Sequence, residues 1–168
     1  MTAGERWRVV VRADASRTIG TGHVRRMSVL AQALRREGAL VDLLCNPEAP
    51  DLCPEAVTRF DGWLAVTAEA DGPALAAAHG VPPTWVVFDH YGLGAREETP
   101  YRTVAARLAT LDDLADRPHD VALLVDMNLG RSPLDYDGLT PPGCAVHTGA
   151  EWQIVHEAFL RMRPVSLA

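Results

Sequence analysis

The chain contains no lysine; all sixteen of its basic side chains are arginine. It lacks any uninterrupted apolar run approaching the roughly 20 residues a membrane span needs, which argues against a transmembrane helix. Residues 1–11 carry no apolar stretch of the secretory type, so the expected location is the cytoplasm. Cysteine is scarce. Cys45, Cys53 and Cys144 have no metal-ligand spacing, and an odd count without a secretory signal predicts free thiols rather than a disulfide framework. No bound metal and no cofactor are expected. Internal repeats and low-complexity tracts are also missing. What is there, 168 residues with 48% apolar and 23% charged, suffices for one soluble domain whose core needs no covalent staple.

Charge is unevenly spread. The net value is −6, yet eight of the sixteen arginines lie in residues 1–36 against only Glu5 and Asp14. The first segment is therefore about +6 and the remainder about −12. A basic front end on an acidic protein does not suit a nucleic-acid track. It suits one compact anion, such as a diphosphate.

Residues 7–12 read as a buried first strand, followed by a polar, glycine-containing loop to Gly22. Val24, Met27, Leu30, Ala31 and Leu34 recur at helical spacing, and Gly38 supplies a stop. Strands are expected at 40–45, 63–66, 84–88, 107–111, 121–125 and 145–148. Between them lie a loop at 46–54, a weak helix after it, a short helix at 73–79, partial helix within 95–106 and an extended connection at 129–143. A last helix is expected over 152–162, partly exposing Ile154, Val155 and Phe159. Short apolar strands alternating with helices predict an α/β fold with a doubly wound parallel sheet.

Polar residues collect after these strands: Asp14 and Ser16, then Asp89-His90-Tyr91-Gly92, then Asp112-Asp113, then Asp126-Met127-Asn128. In a parallel sheet all these strands end on one edge, where open α/β sheets bind ligands. Asp14, Asp89, Asp112 and Asp126 are therefore expected on one rim. Individually such residues are common loop starters and caps; together they mark a site. The sharpest local feature is Ile19-Gly20-Thr21-Gly22-His23, between the first strand and first helix. Glycine lets the backbone approach a ligand, and a helix start offers unpaired N–H groups to an anion. With no third glycine and no Gly-Lys-Ser/Thr, it is neither the dinucleotide fingerprint nor a Walker loop. It puts an imidazole, His23, at the mouth of an anion-binding turn, on a face with Gly22 and Tyr91 that is expected to be open to solvent.

The segments Arg12-Ala13-Asp14-Ala15-Ser16 and Ile19-Gly20-Thr21-Gly22-His23, with Arg26 and Leu30-Ala31, closely resemble the opening of the PseG family. These are UDP-sugar hydrolases of pseudaminic acid biosynthesis, related to GT-B glycosyltransferases. Three further stretches resemble family segments in order: residues 87–93, residues 111–120, and residues 125–128 followed by 136–139. Met127 stands where the family usually has Gln, and Trp152 and His156 replace a Tyr and an Arg near the end. The resemblance implies hydrolysis of UDP-2,4-diacetamido-2,4,6-trideoxy-β-L-altropyranose with inversion at its anomeric carbon. It implies His23 as general base and Tyr91 as its orienting partner. Arg12, Asp14, Ser16, Gly20, Thr21, Gly22, Asp89, His90 and Asn128 are then implied to hold substrate. It further implies that residues 1–148 are the Rossmann-like N-terminal half of a GT-B fold. Residues 149–168 would be a linker helix toward a UDP-binding domain that this chain lacks. A GT-B glycosyltransferase domain and a non-catalytic remnant of the hydrolase are the alternatives.

Overall fold

A computed structural model describes residues 7–78 and 81–166. Seven strands, β1 (Arg8–Ala13), β2 (Leu40–Cys45), β3 (Gly62–Ala65), β4 (Trp85–Asp89), β5 (Arg107–Leu111), β6 (Leu123–Asp126) and β7 (Ala145–Thr148), form one sheet in the order β3-β2-β1-β4-β5-β6-β7. Every pairing is parallel. The α helices are α1 (Gly22–Arg36), α2 (Ala49–Leu52), α3 (Pro54–Val57), α4 (Gly72–Ala77), α5 (Ala95–Glu98) and α6 (Glu157–Ser166). This is the Rossmann-like α/β arrangement, with the strand order reversing direction at β1. Among the described residues, no helix is long and apolar enough to cross a membrane.

Apolar cores lie on both faces of the sheet, as a parallel sheet requires. On one face Val9, Val11, Val41 and Leu43 pack beneath Val24, Met27 and Ala31 of α1 and beneath Ala56 and Val57 of α3. On the other, Val10, Val86, Phe88 and Leu124 meet Ala76, Tyr101 and Tyr136. Helix α1 forms because its apolar residues recur at 3.6-residue spacing, and Arg35 and Arg36 in its last turn complement the helix dipole. Two arginines are embedded in β1 itself. Arg8, 2% exposed, is held by Asp42 at 2.7 Å and by the carbonyls of Ala76 and Val81. A charge taken this far from water must be paired and hydrogen-bonded.

Strand limits differ by at most two residues from those the sequence suggests, and several segments between the strands differ by more. The loop expected at 46–54 contains the helical turn α2, with Pro50 in its first turn, where its missing N–H costs nothing. The short helix covers Gly72–Ala77, and His79 lies outside the described residues. The helix expected over 152–162 is instead a 3₁₀ turn, Ala150–Trp152, an extended stretch, and then α6. Ile154 is the cause. Its side chain packs against the α1-side core and its N–H points to the Met127 sulfur at 3.3 Å. An extended chain brings it down onto the sheet. Ile154 is thus half-buried, while Val155 and Phe159 are exposed.

Candidate functional site

Asp14, Asp89, Asp112 and Asp126 lie at or just beyond the carboxyl ends of β1, β4, β5 and β6, on one rim. The loop from β1 to α1 closes over this rim. Ser16 and Gly20 exchange backbone hydrogen bonds of 3.1 and 2.8 Å, and the Ser16 hydroxyl accepts the N–H groups of Thr18 and Ile19. Gly20 has φ +78°, a conformation a side chain would strain. The turn delivers Gly22 and His23 to the start of α1.

His23 is 4% exposed, so it is not the open imidazole expected from the sequence; Gly22 and Tyr91 are exposed as expected. Its Nδ1 lies 2.7 Å from Oδ1 of Asp89, a carboxylate that is wholly buried. A carboxylate only accepts, so Nδ1 carries the hydrogen and the neutral ring keeps its lone pair on Nε2. The Tyr91 ring meets His23 edge-on at 4.4 Å between centroids. Arg26, one turn along α1 from His23, grips Asp89 with Nε at 2.8 Å and Nη2 at 2.6 Å. The same guanidinium reaches Asp113, Nη1 at 3.3 Å and Nη2 at 3.0 Å. Burial alone would raise the Asp89 pKa, but bonds from His23 and Arg26 hold it below the ordinary carboxylate range.

Two adjoining pockets open here. One of about 170 Å³ is lined by Ile19, Gly22, His23, Arg26, Tyr91 and Asp113. Its neighbour, about 320 Å³, shares Arg26, Tyr91 and Asp113 and adds Met127, Asn128, Gln153 and Ile154. A Cβ built on Gly22 would touch nothing, so the glycine leaves open space at the pocket wall. A third cavity of about 330 Å³, bounded by Trp7, Leu30, Leu34, Trp85, Val125 and Ile154, is apolar and offers no titratable side chain. The chemistry belongs to the polar pair. Among the described residues, no three His, Cys, Asp or Glu side chains are grouped to hold a metal ion.

No family model matches the chain. It is 27% identical to the UDP-2,4-diacetamido-2,4,6-trideoxy-beta-L-altropyranose hydrolase of Campylobacter jejuni, over an alignment of 161 residues. That alignment covers 90% of this chain and 53% of the relative, so the chain spans about half the length of the curated protein it matches. The similarity is distant.

The residues expected to act in catalysis or to hold substrate divide into three groups. Gly22, His23, Tyr91 and Asn128 line the pockets. Asn128 donates its amide to the Asp113 carbonyl at 2.9 Å, and its N–H meets Asp126 at 2.8 Å. Ser16, Gly20 and Thr21 shape the loop, Thr21 through its hydroxyl, which accepts Arg25 Nε. Arg12, Asp14, Asp89 and His90 stand behind the wall and bind one another or their neighbours. Asp14 accepts from Arg12, from the Asn46 N–H at 2.6 Å and from His90 Nε2 at 3.3 Å. His90 Nδ1 meanwhile accepts the Gly92 N–H, so both nitrogens of that imidazole are engaged.

The basic front end is not a free anion cradle. Arg12, 1% exposed, lies between Asp14 and Glu69, and Arg26 between Asp89 and Asp113. Burial lowers the pKa of each, yet two carboxylates apiece hold them firmly protonated. Of the arginines described in this segment, Arg17 is the one with no ionic partner among the described residues. Glu69, Asn46 and Gln153 were not legible as site residues. Nor was Arg26, although its i+3 spacing from His23 is the signal that could have found it.

Proposed function

We propose that this chain is the glycosyl-handling half of a UDP-sugar hydrolase, acting on a UDP-activated diacetamido-trideoxy sugar of pseudaminic acid biosynthesis. The observation that carries the reading is the His23–Asp89 pair beside a pocket walled by Tyr91 and Arg26, in a chain similar to a hydrolase of that description. His23 takes a proton from water through Nε2. That water forms the new bond to the anomeric carbon on the face opposite UDP, and the bond to UDP breaks with its electron pair going to phosphate oxygen, so configuration inverts. Tyr91 orients the water or the sugar. The anionic side chain of Asp113, on the pocket wall, favours the positive charge that grows on the sugar ring. With Arg12 and Arg26 already paired, the leaving diphosphate is met by the Gly20–Gly22 turn and by groups outside this chain. Residues 1–148 are then the N-terminal domain of a GT-B architecture, and residues 149–168 lead toward a UDP-binding domain that supplies the remote binding energy.

The test is to assay residues 1–168 for UDP release from the UDP-sugar and to titrate them calorimetrically with UDP. The chain alone is expected to turn over negligibly and bind UDP weakly, with turnover restored when a UDP-binding partner domain is added. Efficient release by the chain alone overturns the half-enzyme reading. No release with the partner present overturns the hydrolase.

A further inference from the structure

The Asp89 carboxylate is asked to do two things. Its Oδ1 accepts from both His23 Nδ1, at 2.7 Å, and Arg26 Nη2, at 2.6 Å, while Oδ2 accepts from Arg26 Nε at 2.8 Å. It has no exposed surface, so no water shares the load. A lone buried carboxylate at this distance would stabilise imidazolium strongly and leave His23 protonated, useless as a base. A guanidinium in two-point contact offsets that charge while leaving the orienting hydrogen bond in place.

We infer that Arg26 is a positioning and tuning residue. It divides the work of Asp89: the guanidinium engages both carboxylate oxygens while the hydrogen bond that fixes the His23 tautomer stays in place. The inference takes His23 as the base from the proposed function, but its measurement needs no substrate. The groups facing His23 bear this out. From its own helix comes Arg26. From β4 and the loop after it come Asp89, the uncharged edge of Tyr91 and, at 6.4 Å, His90, which is bonded to Asp14. From the loop after β5 comes Asp113, itself tied to Arg26. Arg26 is the one cation in this set among the described residues. Asp113 completes the device: by sharing Arg26 it sets how much positive charge Asp89 receives.

The experiment is an NMR titration of the ring carbons of His23 in the full chain, folded state checked by amide spectra. Arg26→Gln is expected to raise the His23 midpoint by about one pH unit or more, the scale of a charge at this range. Asp113→Asn, at the exposed end of the network, is expected to lower it, because Arg26 then serves Asp89 alone. Arg26→Lys keeps the charge and should lie between wild type and Arg26→Gln. An unchanged or lowered midpoint in folded Arg26→Gln overturns the inference. If that variant does not fold, an unchanged or raised midpoint in Asp113→Asn does so. A chain that titrates as expected yet releases no UDP even with the UDP-binding partner domain added would sink the hydrolase reading and leave this one standing.

Discussion

His23 works, in the proposed reaction, through the nitrogen that Asp89 does not use. Replacing it with Asn keeps a hydrogen bond toward Asp89 but removes the lone pair. In the assembled hydrolase, His23→Asn is expected to lower kcat by about 10²–10⁴-fold with UDP affinity nearly intact, and Tyr91→Phe by less. Steady-state kinetics with calorimetry check both; near-full turnover in His23→Asn removes the residue from the mechanism. This imidazole was legible because a glycine-flanked histidine at a strand–helix junction is a local pattern. The pairings of Arg12 with Glu69 and of Arg26 with Asp89 and Asp113 were not. Glu69, Asp89 and Asp113 lie 57, 63 and 87 residues further on, and no periodicity spans such gaps. The arginines therefore read as an anion site when they are in fact neutralised in place.

Strands were the readable elements. The inner strands are short, largely apolar runs ended by a polar residue, and burial on both faces leaves little freedom for another reading. Segments whose conformation is decided by what they touch were harder. Ile154, Val155 and Phe159 suggest a helix face, yet the sheet surface draws Ile154 into an extended chain. The junction of α4 with the 3₁₀ turn Thr99–Thr103 is decided by contact in the same way. Tyr101 is fully buried and lies over Gly72, where an added Cβ would sit 1.9 Å from the phenolic oxygen. Tyr101 cannot retreat into a packed core, so α4 must shift. Gly72→Ala is expected to destabilise the chain by about 1–3 kcal/mol, read from urea unfolding. An unchanged urea midpoint would show that this contact relaxes freely.

Buried charge binds the sheet together at its rim, and it sets limits of pH. Burial raises the Asp14 and Asp112 carboxyls, but His90 and Arg12 around the first, and His119, the Ala115 N–H and Arg117 around the second, hold both well below the usual range. Asp89 is depressed likewise. Burial lowers the His119 imidazole, yet Asp112 and Glu98, the latter at 2.7 Å, push it up to about 9. Carboxyls depressed in the folded state contribute stability that is complete above about pH 4 and lost as pH falls below it. The His119 contribution has the opposite sense: complete below about 6.5, lost as pH rises through about 9. Urea midpoints measured across pH should therefore be highest between these limits and decline on either side. In His119→Gln the decline between 6.5 and 9 should vanish; its persistence would place the alkaline loss elsewhere.

The lopsided charge of the chain also has a direction in time. Within this sequence the ribosome makes residues 1–36, with their excess of about six positive charges, before the carboxylates that answer them. Glu69 must emerge before Arg12 has both its partners, and Asp113 before Arg26 has both. The first segment is thus a strongly cationic stretch while its later partners are still to come. The running count of charged side chains reaches zero at Glu69 and turns negative at Asp71. The pocket around His23, which needs Asp89 and Asp113, is therefore completed after the running charge has changed sign.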